Sequence, residues 1–329
     1  MKHHPFVCVI GAGAFGTALA SVISSSGNAS VVLLGRQKEL ILQLTKTRIH
    51  QKSLPGIVLS DSLGFSTDHE ILQKADIVLF AMPSKDYSHA VDCYGPWIRN
   101  TADIIVCAKG FDHESGLLLS DILEKRLPSH SVSVLSGPGF ASDIARELPV
   151  GMVLASENME KSRSLCRLLS YSCFNLYPSD DRTGVQLAGA LKNIIAIACG
   201  LIEGACLGES ARALVISHGL AEISRLVRAA GGCPDTVHGL SGLGDLVLTA
   251  TSHQSRNLRF GISLGKGFCP ERNSGLLVEG VYAASLALKM AARFNIKMFM
   301  TEIISSLVEG SLSVDEALKA LTTKIVSRE

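Results

Sequence analysis

A largely parallel α/β sheet followed by an all-helical second half is the architecture predicted by this 329-residue sequence. Three observations predict it. Short apolar runs rich in β-branched residues recur through the first half, with helical patterns between the early ones. The first of these runs opens onto closely spaced glycines and then a helical stretch. From Gly184 onward the apolar spacing is helical, and no convincing strand occurs.

The opening stretch reads FVCVIGAGAFGTALA. Phe6 to Ile10 is apolar throughout, as a strand buried on both faces requires. Gly11, Gly13 and Gly16 follow, and a helix is predicted from Thr17 to about Ser26. Strand, glycine turn and helix start form the fingerprint of a Rossmann-type dinucleotide site. Gly11 permits the tight turn, Gly13 lets backbone approach a pyrophosphate, and Gly16 lets the helix lie close to the strand. The free N–H groups and dipole of the helix start then favour an anion.

Further strands are predicted at Ser30 to Leu34, Ala75 to Ala81, Ile104 to Ala108, Val132 to Leu135, Val150 to Ala155 and Cys173 to Tyr177. Gly11, Arg36, Ser84, Lys109 and Gly137 all fall at predicted carboxyl ends, where ligands of parallel sheets sit. Arg36 stands where the fingerprint usually places an acidic ribose ligand. A cation there suits a 2′-phosphate, and a solvated arginine at a strand end explains it equally well. Helices are predicted at Gly184–Gly204, Glu209–Ala230, Leu240–Thr251, Ser255–Lys266, Val278–Phe294 and Thr301–Glu309. A last one, about Val314 to Leu321, carries a capping box in Ser313-Val314-Asp315-Glu316. The expected domains are therefore residues 1–183 and 184–329.

Composition narrows the function classes. Hydrophobic residues make up 47% and charged residues 19%, enough apolar material for sizeable cores. The formal net charge is +1, without a long basic block, which argues against nucleic acid as a partner. The N-terminal MKHHP runs straight into the first strand, so no signal peptide is expected. Lys192, Asn193 and Glu203 interrupt the most membrane-like segment, Leu187 to Leu207, which reads as a buried core helix and not a membrane span. Nine scattered cysteines without a CxxC pair suit a reducing cytoplasm and speak against structural zinc or a disulfide framework.

Three places carry chemistry. Lys192 and Asn193 lie side by side in an apolar helical run, an expensive arrangement unless they face a polar cavity. The alternatives are a lysine snorkelling at a helix edge and an acid/base lysine with a lowered pKa. Asp245, after a turn of small residues, caps a helix or orients a lysine or a water. Ser255-Arg256-Asn257 groups phosphate-capable donors at a predicted helix start; capping alone accounts for Ser255 but not for its neighbours. Lys109 is either a surface residue or a second cation at the cleft.

Taken together, Gly11 to Thr17, Lys109-Gly110, Gly137-Pro138-Gly139-Phe140-Ala141, Leu191-Lys192-Asn193, Gly242 to Leu246 and Ser255-Arg256-Asn257 resemble the bacterial NAD(P)-dependent glycerol-3-phosphate dehydrogenase family. The motifs occur in the family's order and cover roughly residues 7 to 280. The resemblance implies reversible reduction of dihydroxyacetone phosphate to sn-glycerol 3-phosphate, feeding glycerophospholipid synthesis, by a cytoplasmic homodimer using NADP or NAD. It implies that Lys192 is the acid/base; by the chemistry of the residues themselves, Lys109 would steady an oxyanion and lower the Lys192 pKa, and Asp245 would hold the ammonium or a water. Substrate would be contacted by Lys109, Gly137, Gly139, Lys192, Asp245, Ser255, Arg256 and Asn257. Cofactor would be contacted by Ala14, Phe15, Arg36, Lys109, Ala141, Arg256, Leu277 and Glu279, besides the three fingerprint glycines. Gly139 departs from the serine often found there, which leaves only backbone for contact, and Arg36 lies where the family varies. A β-hydroxyacid dehydrogenase is the rival among enzymes, though the phosphate-capable cluster speaks against an unphosphorylated substrate. A non-catalytic cofactor sensor is the rival outside them, opposed by retention of both Lys192 and Asp245.

Overall fold

The computed structural model describes residues 4–268 and 278–323. The chain forms two compact units. One comprises the chain up to Ala108 together with Leu117–Arg182; the other comprises Lys109–Gly116 together with the described residues from Thr183 onward. The short excursion at Lys109 is absent from a reading based on one linear boundary.

The first unit runs β1 (Phe6–Ile10), α1 (Ala14–Ser25), β2 (Ser30–Leu34), α2 (Lys38–Thr47), β3 (Gly64–Ser66), β4 (Ile77–Phe80), α3 (Tyr87–Tyr94), β5 (Asp103–Val106), α4 (Leu119–Arg126), β6 (Val132–Ser136), α5 (Ala141–Ala145), β7 (Val150–Ala155), α6 (Met159–Leu169) and β8 (Phe174–Ser179). Its eight strands lie in the order β3-β2-β1-β4-β5-β6-β7-β8. Every pairing is parallel except that of β6 with β7. β1 sits centrally, Val9 pairing with Leu33 on one side and Leu79 on the other. Helices on the sheet faces explain why Val7, Val9, Leu33, Leu79 and Ile105 are all buried. Chain order reverses between β1 and β4, the switch point where open α/β sheets form a crevice.

Within this unit, α1 and β3 depart most from the sequence-based expectation. α1 begins at Ala14 and not at Thr17, so Gly16 lies inside its first turn. Low helix propensity argues against glycine there, but a Cβ at Gly16 would overlap the Gly11 carbonyl, so packing overrides propensity. β3 has only three residues, opens with glycine and sits at the sheet edge, and carries no sequence pattern long enough to show it.

The second unit holds α7 (Arg182–Gly204), α8 (Glu209–Ala229), α9 (Asp245–Thr251), α10 (Arg256–Gly265), α11 (Glu279–Arg293), α12 (Phe299–Glu309) and α13 (Val314–Thr322). The expected helix from Leu240 is divided: Leu240–Gly244 forms a π-helical turn, and α9 starts at Asp245. α12 starts ahead of the expected Thr301 because buried Glu222 of α8 caps it, accepting from the Met300 and Thr301 N–H groups at 2.8 and 3.0 Å. The capping box at Ser313 and Glu316 is present at α13. α7 is long and apolar enough to cross a membrane, but its apolar window is wholly buried inside the protein.

α7 is the axis of this unit. Gly200 and Gly204 face Gly261 and Gly265 of α10 so closely that a Cβ at any of the four would overlap backbone of the opposite helix. A Cβ at Gly280 of α11 would come within 2.6 Å of the Asn193 carbonyl oxygen. Because the obstruction at Gly261 is the Ile197 carbonyl and not a movable side chain, Gly261→Ala is expected to destabilise by at least about 2 kcal/mol. Thermal melting followed by circular dichroism should show a midpoint several degrees lower; an unchanged midpoint would mean the helices can separate freely.

Candidate active site

In the first unit the residues between β1 and α1 form a cradle of backbone. Gly11 has φ +115°, a left-handed conformation favouring glycine, and a Cβ there would meet the Ala81 carbonyl oxygen at 2.9 Å. The Gly11 N–H donates to Leu34 O at 2.9 Å, tying the loop to β2. Gly13 is the N-cap of α1 and supplies no side-chain cap, and a Cβ on it would meet nothing within 4 Å. Ala14, Phe15 and Gly16 form the first turn. This is a helix start with open space above it and no acidic residue in its first turn, which fits a pyrophosphate.

Arg36 is exposed, two residues beyond β2. Gly137 follows β6 with φ +144°, and a Cβ there would lie 2.9 Å from Met152 Cα. At Gly139 a Cβ would lie 3.2 Å from side-chain atoms of Ile144 and Val150, so glycine suits the tight packing. Ala141 opens α5. At the ends of β4 and β5, the buried Tyr87 phenol donates to Phe80 O at 2.6 Å and accepts from the Cys107 and Ala108 N–H groups at 3.3 and 3.2 Å.

The second unit brings three of the expected residues into one buried cluster. Lys192 of α7 is 6% exposed, which removes the snorkelling alternative. Its Nζ donates to Asp245 Oδ1 at 2.7 Å and to Thr249 Oγ1 at 2.5 Å. Lys109 Nζ donates to the other carboxylate oxygen, Asp245 Oδ2, at 2.6 Å. Asp245 and Thr249 are four residues apart on α9 and therefore share a face. The Asp245 carboxylate also lies at the helix start, where the dipole favours it.

Burial is the main influence on Lys192 and lowers its pKa from 10.5 to about 8; Lys109 pushes the same way, and Asp245 opposes them. The ammonium is thus held below its ordinary pKa and gives up its proton more readily than a free lysine does.

A second set adjoins it through Asn193, the residue beside Lys192. Asn257 Nδ2 donates to Asn193 Oδ1 at 2.9 Å, and Asn193 Nδ2 donates to Glu279 Oε2 at 3.4 Å. Asn257 Oδ1 accepts from the Gly280 N–H at 3.1 Å. Burial raises the pKa of Glu279, and the charge of Arg256 opposes that rise most strongly. Ser255 caps α10, accepting from the Leu258 N–H at 3.2 Å, while Arg256, the first residue of α10, is exposed. Leu277 lies outside the described residues.

Sequence reasoning missed Thr249. The only trace of it was its four-residue spacing from Asp245, which has meaning only once both are known to lie on one helix. No group of three or more His, Cys, Asp or Glu among the described residues could hold a metal ion.

Known proteins match this chain along its length. The C-terminal family of NAD-dependent glycerol-3-phosphate dehydrogenase matches residues 181–319, and the N-terminal family matches residues 6–162. Glycerol-3-phosphate dehydrogenase [NAD(P)+] of Rhizobium johnstonii is 52% identical over 323 residues, covering 98% of this chain and 99% of that one. Its counterpart from Agrobacterium fabrum is also 52% identical, covering 98% of each. The crystal structure of glycerol-3-phosphate dehydrogenase from Coxiella burnetii superposes with a TM-score of 0.90 at 33% identity, covering 97% of this chain and 99% of that one. A Rossmann-type sheet, a helical second unit and matches spanning both halves place the chain in the NAD(P)-dependent glycerol-3-phosphate dehydrogenase family.

Proposed function

We propose that this protein reduces dihydroxyacetone phosphate to sn-glycerol 3-phosphate, reversibly, using NADPH or NADH. The observation that carries the reading is the buried Lys192 ammonium, paired with Asp245 beside a second cation. When bound, the dinucleotide supplies hydride. Its pyrophosphate would be held by the backbone of Gly11, Gly13 and Gly16, with Ala14, Phe15, Arg36 and Ala141 contributing further contacts.

The chain's own residues have three tasks. Arg256 and Asn257, with Ser255, grip the substrate phosphate and so fix the carbonyl; binding through a remote group is what orients a small substrate. Gly137 and Gly139 contribute backbone only. Lys192 donates its Nζ proton to the C2 carbonyl oxygen as that atom becomes a hydroxyl, and takes it back in the reverse direction. Lys109 steadies the developing negative charge and keeps Lys192 acidic, while Asp245 orients both ammonium groups. Glu279, linked to Asn193, and Leu277 would contact the cofactor, as the family's pattern implies. Residues 1–183 would serve the cofactor and 184–329 the substrate, with Lys109 joining the second group.

The product is a glycerophospholipid backbone precursor, so the protein would act in phospholipid synthesis in the cytoplasm. A homodimer completes the proposal.

The direct test is oxidation of NADPH and NADH by the purified protein with dihydroxyacetone phosphate. Turnover of an unphosphorylated β-hydroxyacid in its place would shift the assignment to that class of dehydrogenase, and nucleotide binding without any turnover would indicate a sensor.

Lys192→Ala is expected to slow the chemical step by roughly 10²–10⁴-fold while leaving nucleotide affinity intact. Lys192→Arg should rescue little, because arginine keeps its proton. Reduction needs the ammonium form, so its rate should fall as pH rises through about 8. The neighbours should move that limb in opposite senses. Lys109→Met removes a charge that lowers the Lys192 pKa and shifts the limb upward; Asp245→Asn removes one that raises it and shifts the limb downward. Shifts of the same sign would remove Lys192 as the titrating group.

Arg36→Asp tests the cofactor reading. A carboxylate repels a 2′-phosphate, so kcat/KM for NADPH should fall relative to that for NADH. An unchanged ratio would free Arg36 from any part in selectivity.

A further inference from the structure

Ala12 lies at the middle of the glycine loop, and a side chain from a distant part of the sequence holds its carbonyl. His50, beyond the end of α2, is only 3% exposed. Its Nδ1 accepts from the Ser53 N–H at 3.3 Å, and its Nε2 lies 3.1 Å from Ala12 O. A ring nitrogen that accepts carries no proton. The proton of the neutral ring is therefore on Nε2, which donates to the Ala12 carbonyl.

The segment bearing His50 is itself tied down. The His50 carbonyl accepts from the Ser53 and Leu54 N–H groups at 3.1 and 2.7 Å. The Arg48 guanidinium donates to Ser60 O and Leu63 O at 2.9 and 2.6 Å, and the Ser60 N–H donates to Ser21 Oγ of α1 at 2.9 Å. Gly35 crowds Ala12 as well: a Cβ there would come within 3.0 Å of Ala12 Cβ.

The described peptide bonds are all trans. In a trans peptide the carbonyl and the following N–H point in opposite directions. Holding the Ala12 carbonyl toward His50 therefore turns the Gly13 N–H away from His50. Gly13 itself borders open space, since a Cβ on it would meet nothing within 4 Å.

We propose that His50 is a positioning residue for the dinucleotide site: its Nε2–H fixes the Ala12–Gly13 peptide so that the Gly13 N–H faces the pyrophosphate before the nucleotide arrives. The inference rests on the reading of this loop as the dinucleotide cradle. Preorganising a donor removes an ordering cost from binding, so the effect belongs to cofactor affinity and not to the proton transfer at Lys192.

Two variants and one measurement test it. His50→Gln keeps an amide N–H at a similar reach, and His50→Met fills the space without a donor. His50→Met is expected to raise the Kd and KM for NADPH and NADH alike by roughly tenfold. KM for dihydroxyacetone phosphate, and kcat at saturating cofactor, should stay within about twofold. His50→Gln should hold Kd within about threefold of the unaltered protein. A lower melting temperature with unchanged nucleotide Kd would make His50 a folding residue only and overturn the proposal, as would equal losses in both variants. Unaltered protein that binds neither nucleotide would bring down the dinucleotide reading and this proposal together; binding that ignores His50→Met would bring down the proposal alone. Long-range 1H–15N NMR of the unaltered, histidine-labelled protein reads the tautomer without any substitution. The Nε2–H form is expected, and the Nδ1–H form would overturn the proposal.

Discussion

A lysine ammonium inside an apolar helix needs an anion to meet it there, and Asp245 meets that need. Its two carboxylate oxygens are divided between Lys192 and Lys109, so one buried group joins α7, α9 and the Lys109–Gly116 excursion. Desolvating such ions is costly, and removing a single partner leaves an uncompensated charge. The cluster therefore constrains the unit around it: the π-helical turn before α9 and the glycine crossings of α7 lie on the elements that bring these groups within reach of each other. One carboxylate facing two ammonium groups leaves an excess positive charge. In the proposed reaction that charge would steady a carbonyl oxygen gaining negative charge.

The first unit answers a different constraint with the same economy of side chains. An anionic dinucleotide is best held by backbone N–H groups at a helix start, and backbone can approach only where Cβ atoms are missing. Gly11 and Gly16 serve that closeness internally, where loop, helix and β4 meet, while Gly13 leaves the space above the helix open. Tyr87 performs a related task at the neighbouring strand ends, closing backbone groups with one buried phenol.

What could be read from the sequence follows from how local each signal is. The glycine spacing after an apolar strand reports its purpose within a dozen residues. Lys192 and Asn193 stand out because they break an apolar run, and the family resemblance names their neighbours in order. Thr249 and His50 are ordinary residues in ordinary surroundings until the chain is folded, because their partners lie 57 and 38 residues away. The same distance hides the Glu222 cap of α12, 78 residues away at Met300, and so the true start of that helix. Gly16 misleads because propensity measures an isolated helix, whereas its place in α1 is decided by the Gly11 carbonyl against it.

The excursion at Lys109 has a consequence for how such a protein can be rebuilt from parts. The chain passes between its two units three times, at residues 108/109, 116/117 and 182/183. A hybrid joined at a single crossover near residue 183 would take Lys109 from the nucleotide-binding parent and Asp245 from the other. Exchange of nucleotide-binding halves between relatives therefore requires either a compatible pair at these two positions or transplantation of Lys109–Gly116 as a separate cassette. The buried Lys109–Asp245–Lys192 cluster therefore draws on both halves of the sequence.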